Sequence, residues 1–127
     1  MSKTIIATDG APAAIGTYSQ AVRVGNTLYL SGQIPLVPDT MELAEGGIDE
    51  QARQVFRNLT AVAAAAGGSL DNFVKLTVYL TDLGNFQTIN KVMEEFFTSP
   101  FPARAAVGVN ELPKQAQVEV EAILVFD

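Results

Sequence analysis

The pattern that most restricts this chain is a change of period at Ile48. From there Ile48, Ala52, Val55, Phe56, Leu59, Val62, Ala63 and Ala66 step by threes and fours, which lays one apolar stripe along a helix. Asp49 and Glu50 suit the positive N-terminal end of that helix, and Gly67-Gly68 close it. A helix apolar on one side needs a surface to cover its stripe. The next segment, "FVKLTVYLTD" (73–82), alternates instead. Val74, Leu76, Val78 and Leu80 share one face, and Lys75, Thr77, Tyr79 and Thr81 the other. A second stripe of Phe86, Ile89, Met93, Phe96 and Phe97 predicts a second helix, which Pro100 and Pro102 prevent from continuing.

The flanks supply more strands. "AVRVGNTLYLSGQIP" (21–35) reads as a β-hairpin turning at Gly25-Asn26, and Pro35 and Pro38 end its second strand ahead of a surface loop. A short strand is expected near 104–109 and a long one over 116–127. The order β-β-α-β-α-β-β predicts an α+β domain spanning 1–127, a single mixed β-sheet with two helices packed on one face. In the last strand, Val118, Val120, Ala122, Leu124 and Phe126 form the helix-facing row. Its other row starts polar with Gln117, Glu119 and Glu121, then turns apolar at Ile123 and Val125. Tyr29, Ser31, Tyr79, Arg104 and Ala106 are expected in similar outward rows. A second face that is half polar and half apolar predicts a subunit interface with a site in it.

Absences narrow the chemistry. The 127 residues contain no cysteine and no histidine, so thiol nucleophiles, thiolate metal sites and a Ser-His-Asp triad cannot be built. Carboxylates, arginine, hydroxyls, backbone groups and water remain. Eight Lys and Arg against fourteen Asp and Glu give a net charge of −6 without a basic run, which argues against nucleic-acid binding. No apolar run is long enough to span a bilayer. The start, "MSKTIIATDG", lacks the apolar core of a signal peptide, so a soluble cytoplasmic protein is the expectation.

Within that inventory Arg104 stands out, at the mouth of an apolar strand in "FPARAAV". The residues alone favour an ordinary salt bridge, to Glu119 or Glu121, over a ligand contact. Glu119 and Glu121 share one face of the last strand, and alternation does not choose between them.

Taken together, "APAAIGTYSQAV", "LYLSGQIPL", "QARQVFRNLTAVAAAAG", "VKLTVYLTDLGNFQTIN", "FPARAAV" and "VEVEAI" resemble, in order and spacing, the Rid family of reactive intermediate deaminases (YjgF-type). The resemblance covers essentially the whole chain. It implies a chorismate-mutase-like fold and a homotrimer with clefts between subunits. It also implies hydrolysis of 2-imino acids, or the enamines that tautomerise to them, to 2-oxo acids and ammonia, with no metal or other cofactor. Carried over residue by residue, it makes Arg104 the carboxylate-binding arginine and Glu119 the acid that positions or activates water. Tyr18, Ser31, Gly32 and Asn90 would line the cleft, with a backbone contact from Ala106. Four positions and one segment depart from the family pattern. Ala106 replaces a common cysteine, Thr17 a proline, Met41 a turn glycine and Met93 a tyrosine, and the segment after Phe97 is short. Two other readings stand beside the deaminase: a non-catalytic binder of small carboxylates such as 2-oxo acids, and a protein- or RNA-directed role.

Overall fold

A computed structural model describes residues 2–127. The chain runs β1 (Thr4–Ile6), β2 (Ala21–Val24), β3 (Thr27–Gln33), α1 (Ile48–Ala65), β4 (Phe73–Leu80), α2 (Phe86–Phe96), β5 (Ala103–Gly108) and β6 (Val118–Val125). One six-stranded sheet has the order β1-β2-β3-β6-β4-β5. β4 and β5 are parallel, bridged by α2, and every other pair is antiparallel. β6 slots between β3 and β4, so the C-terminal strand closes the middle of the sheet. This is the mixed-sheet α+β architecture the periods predict.

The α1 stripe is the centre of the core: Ala52, Val55, Phe56, Leu59, Val62 and Ala63 are fully buried. Its end is set by backbone chemistry. Gly68 N donates to Ala63 O (2.8 Å) and Gly67 N to Ala64 O (3.0 Å), while Gly67 takes φ +85°. That is a Schellman closure, and the left-handed step falls on a residue with no Cβ. Leu28 and Leu30 of β3, Leu76, Val78 and Leu80 of β4, and Val118, Val120, Ala122 and Leu124 of β6 cover the stripe. Phe97 locks the seam, edge-on to Phe56 (5.9 Å) and Phe73 (5.5 Å). Arg53 then straps α1 to α2 from outside, forking onto both carboxylate oxygens of Glu95 at 2.9 and 3.0 Å.

Four expectations need correction. β1 is an additional strand, paired with β2 through Thr4 and Arg23. At the start of β4 the register with β6 slips between Phe73 and Lys75, so Phe73 is buried and Val74 is 43% exposed. On α2 the buried residues are Ile89, Val92 and Met93, with Phe96 only partly covered. Most consequential, Arg104 and Ala106 do not lie in the outward row. They pair in register with Leu76 and Val78, which face the helices, and register partners project to the same side of a sheet. The outward residues of β5 are Ala103, Ala105 and Val107 instead.

Candidate active site

Glu119 sits on the outward face of β6, opposite Tyr79 of β4. Its carboxylate lies across Gly32 of β3: a Cβ added there would fall inside the Glu119 side chain. With Glu119 in this rotamer the position admits only glycine, for steric rather than conformational reasons. The β3–β6 register shifts between Leu30 and Gln33, and this irregularity lets Ser31 and Gly32 face the acid. Ser31 is fixed from behind, with N donating to Gln20 O (3.0 Å) and Oγ to Ser19 O (2.5 Å). Tyr18, Ser31, Gly32 and Glu119 line one cavity of about 560 Å³, joined by Glu121, Met41 and Lys114.

Partial burial pushes the Glu119 carboxyl above the ordinary carboxylate value, and the negative charge of Glu121 adds to the rise. The Tyr79 phenol is also pushed up, first by burial and then by Glu121. A carboxyl tuned upward takes a proton more readily near neutrality than an exposed one.

Arg104 occupies the other side of the sheet edge. Its Nη1 donates to Asn90 Oδ1 of α2 (2.8 Å) and approaches Met93 Sδ (3.4 Å). The guanidinium lies over the Phe86 ring at 4.6 Å. Phe86, Asn90 and Met93 are spaced by four and three along α2, so a single helix face presents the ring, the amide and the sulfur to the arginine. All four ion pairs among the described residues involve Arg53 or Arg57, so a salt bridge from Arg104 to Glu119 or Glu121 is not made. Nε and Nη2 keep their donors free of protein partners among the described residues. The fork opens onto a second cavity of about 360 Å³ with Asn90, Met93, Glu94, Phe101 and Pro102.

The seven residues singled out in the sequence therefore fall into two groups. Tyr18, Ser31, Gly32 and Glu119 form one. Arg104 and Asn90 form the other, with Ala106 beside them on β5. Arg104 is level with Leu76 and Ala122, whereas Glu119 lies three residues further along β6 and two strands away. At ~4.8 Å per strand and ~3.3 Å per residue, the two Cα atoms are roughly 14 Å apart, on opposite faces. Within one chain they cannot hold the same small molecule. Met41 and Lys114 were not foreseen as lining residues. Both take left-handed φ, +58° and +56°; lysine gives no sign of this in a sequence, and at Met41 only the turn glycine of the family pattern points to it.

Similarity to known proteins is extensive. The family profile described as endoribonuclease L-PSP matches residues 8–126. The 2-iminobutanoate/2-iminopropanoate deaminase of Dermatophagoides farinae is 51% identical over 98% of both chains. The crystal structure of RidA from an Antarctic Psychrobacter superposes with a TM-score of 0.94 at 55% identity, covering 97% of this chain and 99% of that one. Escherichia coli TdcF, solved with bound serine, has a TM-score of 0.93 at 42% identity, covering 98% and 99%. With the profile running nearly end to end over a fold of this order and register, the chain belongs to the endoribonuclease L-PSP family, which is the YjgF/Rid family.

Proposed function

We propose that this protein hydrolyses reactive 2-imino acids, and the enamines that tautomerise to them, to 2-oxo acids and ammonia, 2-iminobutanoate and 2-iminopropanoate among them. The relatives carrying that activity in their names support the reading. The observation that carries it here is the pair of complementary half-sites. Arg104 offers free donors fixed over Phe86, and Glu119 is an acid of raised pKa held against Gly32.

The halves meet when chains associate. All six residues of β5 are exposed, as are Tyr29, Val74 and Val125 on the outward face. A homotrimer brings the β5 edge of one copy to the Glu119 cavity of the next, and each cleft then holds both groups. Arg104 grips the substrate carboxylate with two parallel N–H donors, a geometry lysine does not reproduce. That grip places C2 beside a water resting on Glu119. The carboxylate takes a proton as the water oxygen bonds to C2 and the C=N π pair moves to nitrogen. It then returns that proton to the amine nitrogen of the carbinolamine; as the carboxylate takes the hydroxyl proton, the C=O bond forms, the C–N bond breaks and ammonia leaves with the 2-oxo acid. Backbone groups near Gly32 and Ala106 complete the pocket, and Tyr18 and Asn90 shape it. No step calls for a metal or prosthetic group.

The work fits the cytoplasm, where pyridoxal-phosphate dehydratases release such imines. An RNA-directed role draws no support from a chain of net charge −6 whose larger cavity carries two carboxylates. Coupling a threonine dehydratase to the protein and following loss of the transient imine is the test. Acceleration above spontaneous hydrolysis is expected, together with a light-scattering mass three times that of the chain. 2-Oxobutanoate binding without acceleration would make the protein a carboxylate binder, and a stable monomer would undo the shared cleft.

A further inference from the structure

The cavity over Glu119 has a second end, and buried amides hold both of its walls. On one side Gln20, 4% exposed, donates through Nε2 to Pro12 O (2.8 Å) and Thr8 O (3.0 Å) and accepts from Thr8 N (2.7 Å). On the other, Asn58 of α1 donates through Nδ2 to Leu36 O (3.0 Å). The loop past Leu36 folds back through the Leu36–Leu43 bridge. It is closed by Val37 N donating to Glu42 O and Met41 N to Val37 O, both at 2.8 Å. The turn demands φ +58° at Met41, a conformation that glycine adopts freely and a residue with a Cβ resists. The methionine side chain therefore stands at a strained position, partly buried, in the wall that also contains Ile15, Ile34 and Leu36. Strain held in a pinned loop at a cavity points to use of the side chain rather than of the backbone.

The cavity is polar at Ser31, Gly32 and Glu119 and apolar at Met41, Ile34 and Leu36. At the ~30 Å³ that a water takes in the liquid, the seven heavy atoms of 2-iminobutanoate take about 210 Å³, against 560 Å³ in a single chain before a neighbouring β5 edge enters the cavity. With C2 held at Glu119, a longer side chain covers more of this apolar lining than an ethyl group does. We propose that Met41 determines substrate specificity, its thioether closing the side-chain end of the pocket and favouring 2-imino acids whose apolar side chains are longer than ethyl. A flexible, polarizable side chain suits contact with several such chains. The inference rests on the deaminase reading and names the substrate class within it.

The experiment compares two imines generated in situ from 2-aminobutanoate and from leucine by an L-amino-acid oxidase, with spontaneous hydrolysis subtracted. The measured quantity is the ratio of kcat/KM for the leucine-derived imine to that for 2-iminobutanoate. In Met41→Gly this ratio falls roughly tenfold or more, mainly through KM for the longer imine. Met41→Asn, which tolerates the left-handed turn but is polar, gives the same fall, and Met41→Leu restores the ratio. An unaltered ratio in Met41→Gly and Met41→Asn, or an equal loss on both imines, overturns the assignment while the deaminase reading stands. A wild-type protein that accelerates neither imine defeats that reading and this inference with it.

Discussion

Gly32→Ala isolates the placement of Glu119 from everything else. The backbone at Gly32 is outside the left-handed region, so alanine meets no conformational penalty; the difficulty is the neighbour. The new Cβ would lie 2.9 Å from Glu119 Cδ and closer still to its carboxylate oxygen. The obstacle is the far end of a flexible side chain, and a rotamer change relieves it at about 1 kcal/mol. The loss of chain entropy in the unfolded state offsets part of that cost. Melting should therefore shift by no more than roughly 5 °C. Catalysis has no such relief. The carboxylate must move by on the order of 1 Å, a misplacement that can cost about 100-fold in rate, or about 2.7 kcal/mol in the barrier. The assay is imine loss with a threonine dehydratase as source, alongside calorimetric titration with 2-oxobutanoate. A hundredfold fall in kcat with near-native melting is the expected result. Undiminished kcat in a well-folded Gly32→Ala would show that the proton transfer does not depend on where Gly32 lets Glu119 sit.

Arg104→Lys keeps the charge and loses the fork, so activity should drop about tenfold to a hundredfold, the worth of one charge-assisted hydrogen bond at roughly 1.5–3 kcal/mol. Arg104 is exposed, and circular dichroism should show the fold retained. Glu119→Gln should abolish turnover while 2-oxobutanoate still binds in calorimetry, and Glu121→Gln should leave most turnover; the reverse outcome would transfer the proton to Glu121. The acidic limb of kcat/KM should lie above the ordinary glutamate value of about 4.3, because burial raises Glu119, and Glu121→Gln should move that limb down. The same shift has a stability sign. The folded state holds the Glu119 proton more tightly than the unfolded chain, so this group's contribution is favourable below the unfolded value and is lost as pH rises through the raised folded one. Glu119→Gln should accordingly melt higher relative to wild type at neutral pH than at acid pH.

What the sequence discloses and what it hides follow from how strongly each feature is patterned. The α1 stripe is legible because eight apolar residues agree on one period, and Gly67-Gly68 mark its end with the chemistry that ends it. β1 is three residues long with Thr4 and Ile5 both exposed, so it has no buried face and leaves no alternation. Phe73 and Val74 exchange roles because a register slip moves the start of β4 by one residue, and a slip of one reverses faces. Arg104 is the instructive case. Its strand, "ARAAVG", is exposed at every position, so nothing within it says which side is inward. The parallel register with Leu76 and Val78 decides the matter, and that register exists only once α2 has carried the chain across. The arginine was recognisable from "FPAR"; its separation from Glu119 was not.

That separation explains how a chain without histidine or cysteine can hold an acid and an arginine of useful character. Placed together in one small chain, Glu119 and Arg104 would neutralise each other: the guanidinium would pull the carboxyl below its ordinary value, leaving a weak base. Apart, each is tuned by its own surroundings. Burial and Glu121 raise the acid, while Asn90, Met93 and Phe86 fix the arginine without supplying a counter-charge. Gly32 keeps the acid's place open, and the edge position of β5 keeps the arginine's donors free. In the proposed trimer one cleft holds both groups, and on that reading the bound substrate carboxylate takes up the charge of Arg104 there. On the same proposal Glu119 keeps the basicity that water activation needs.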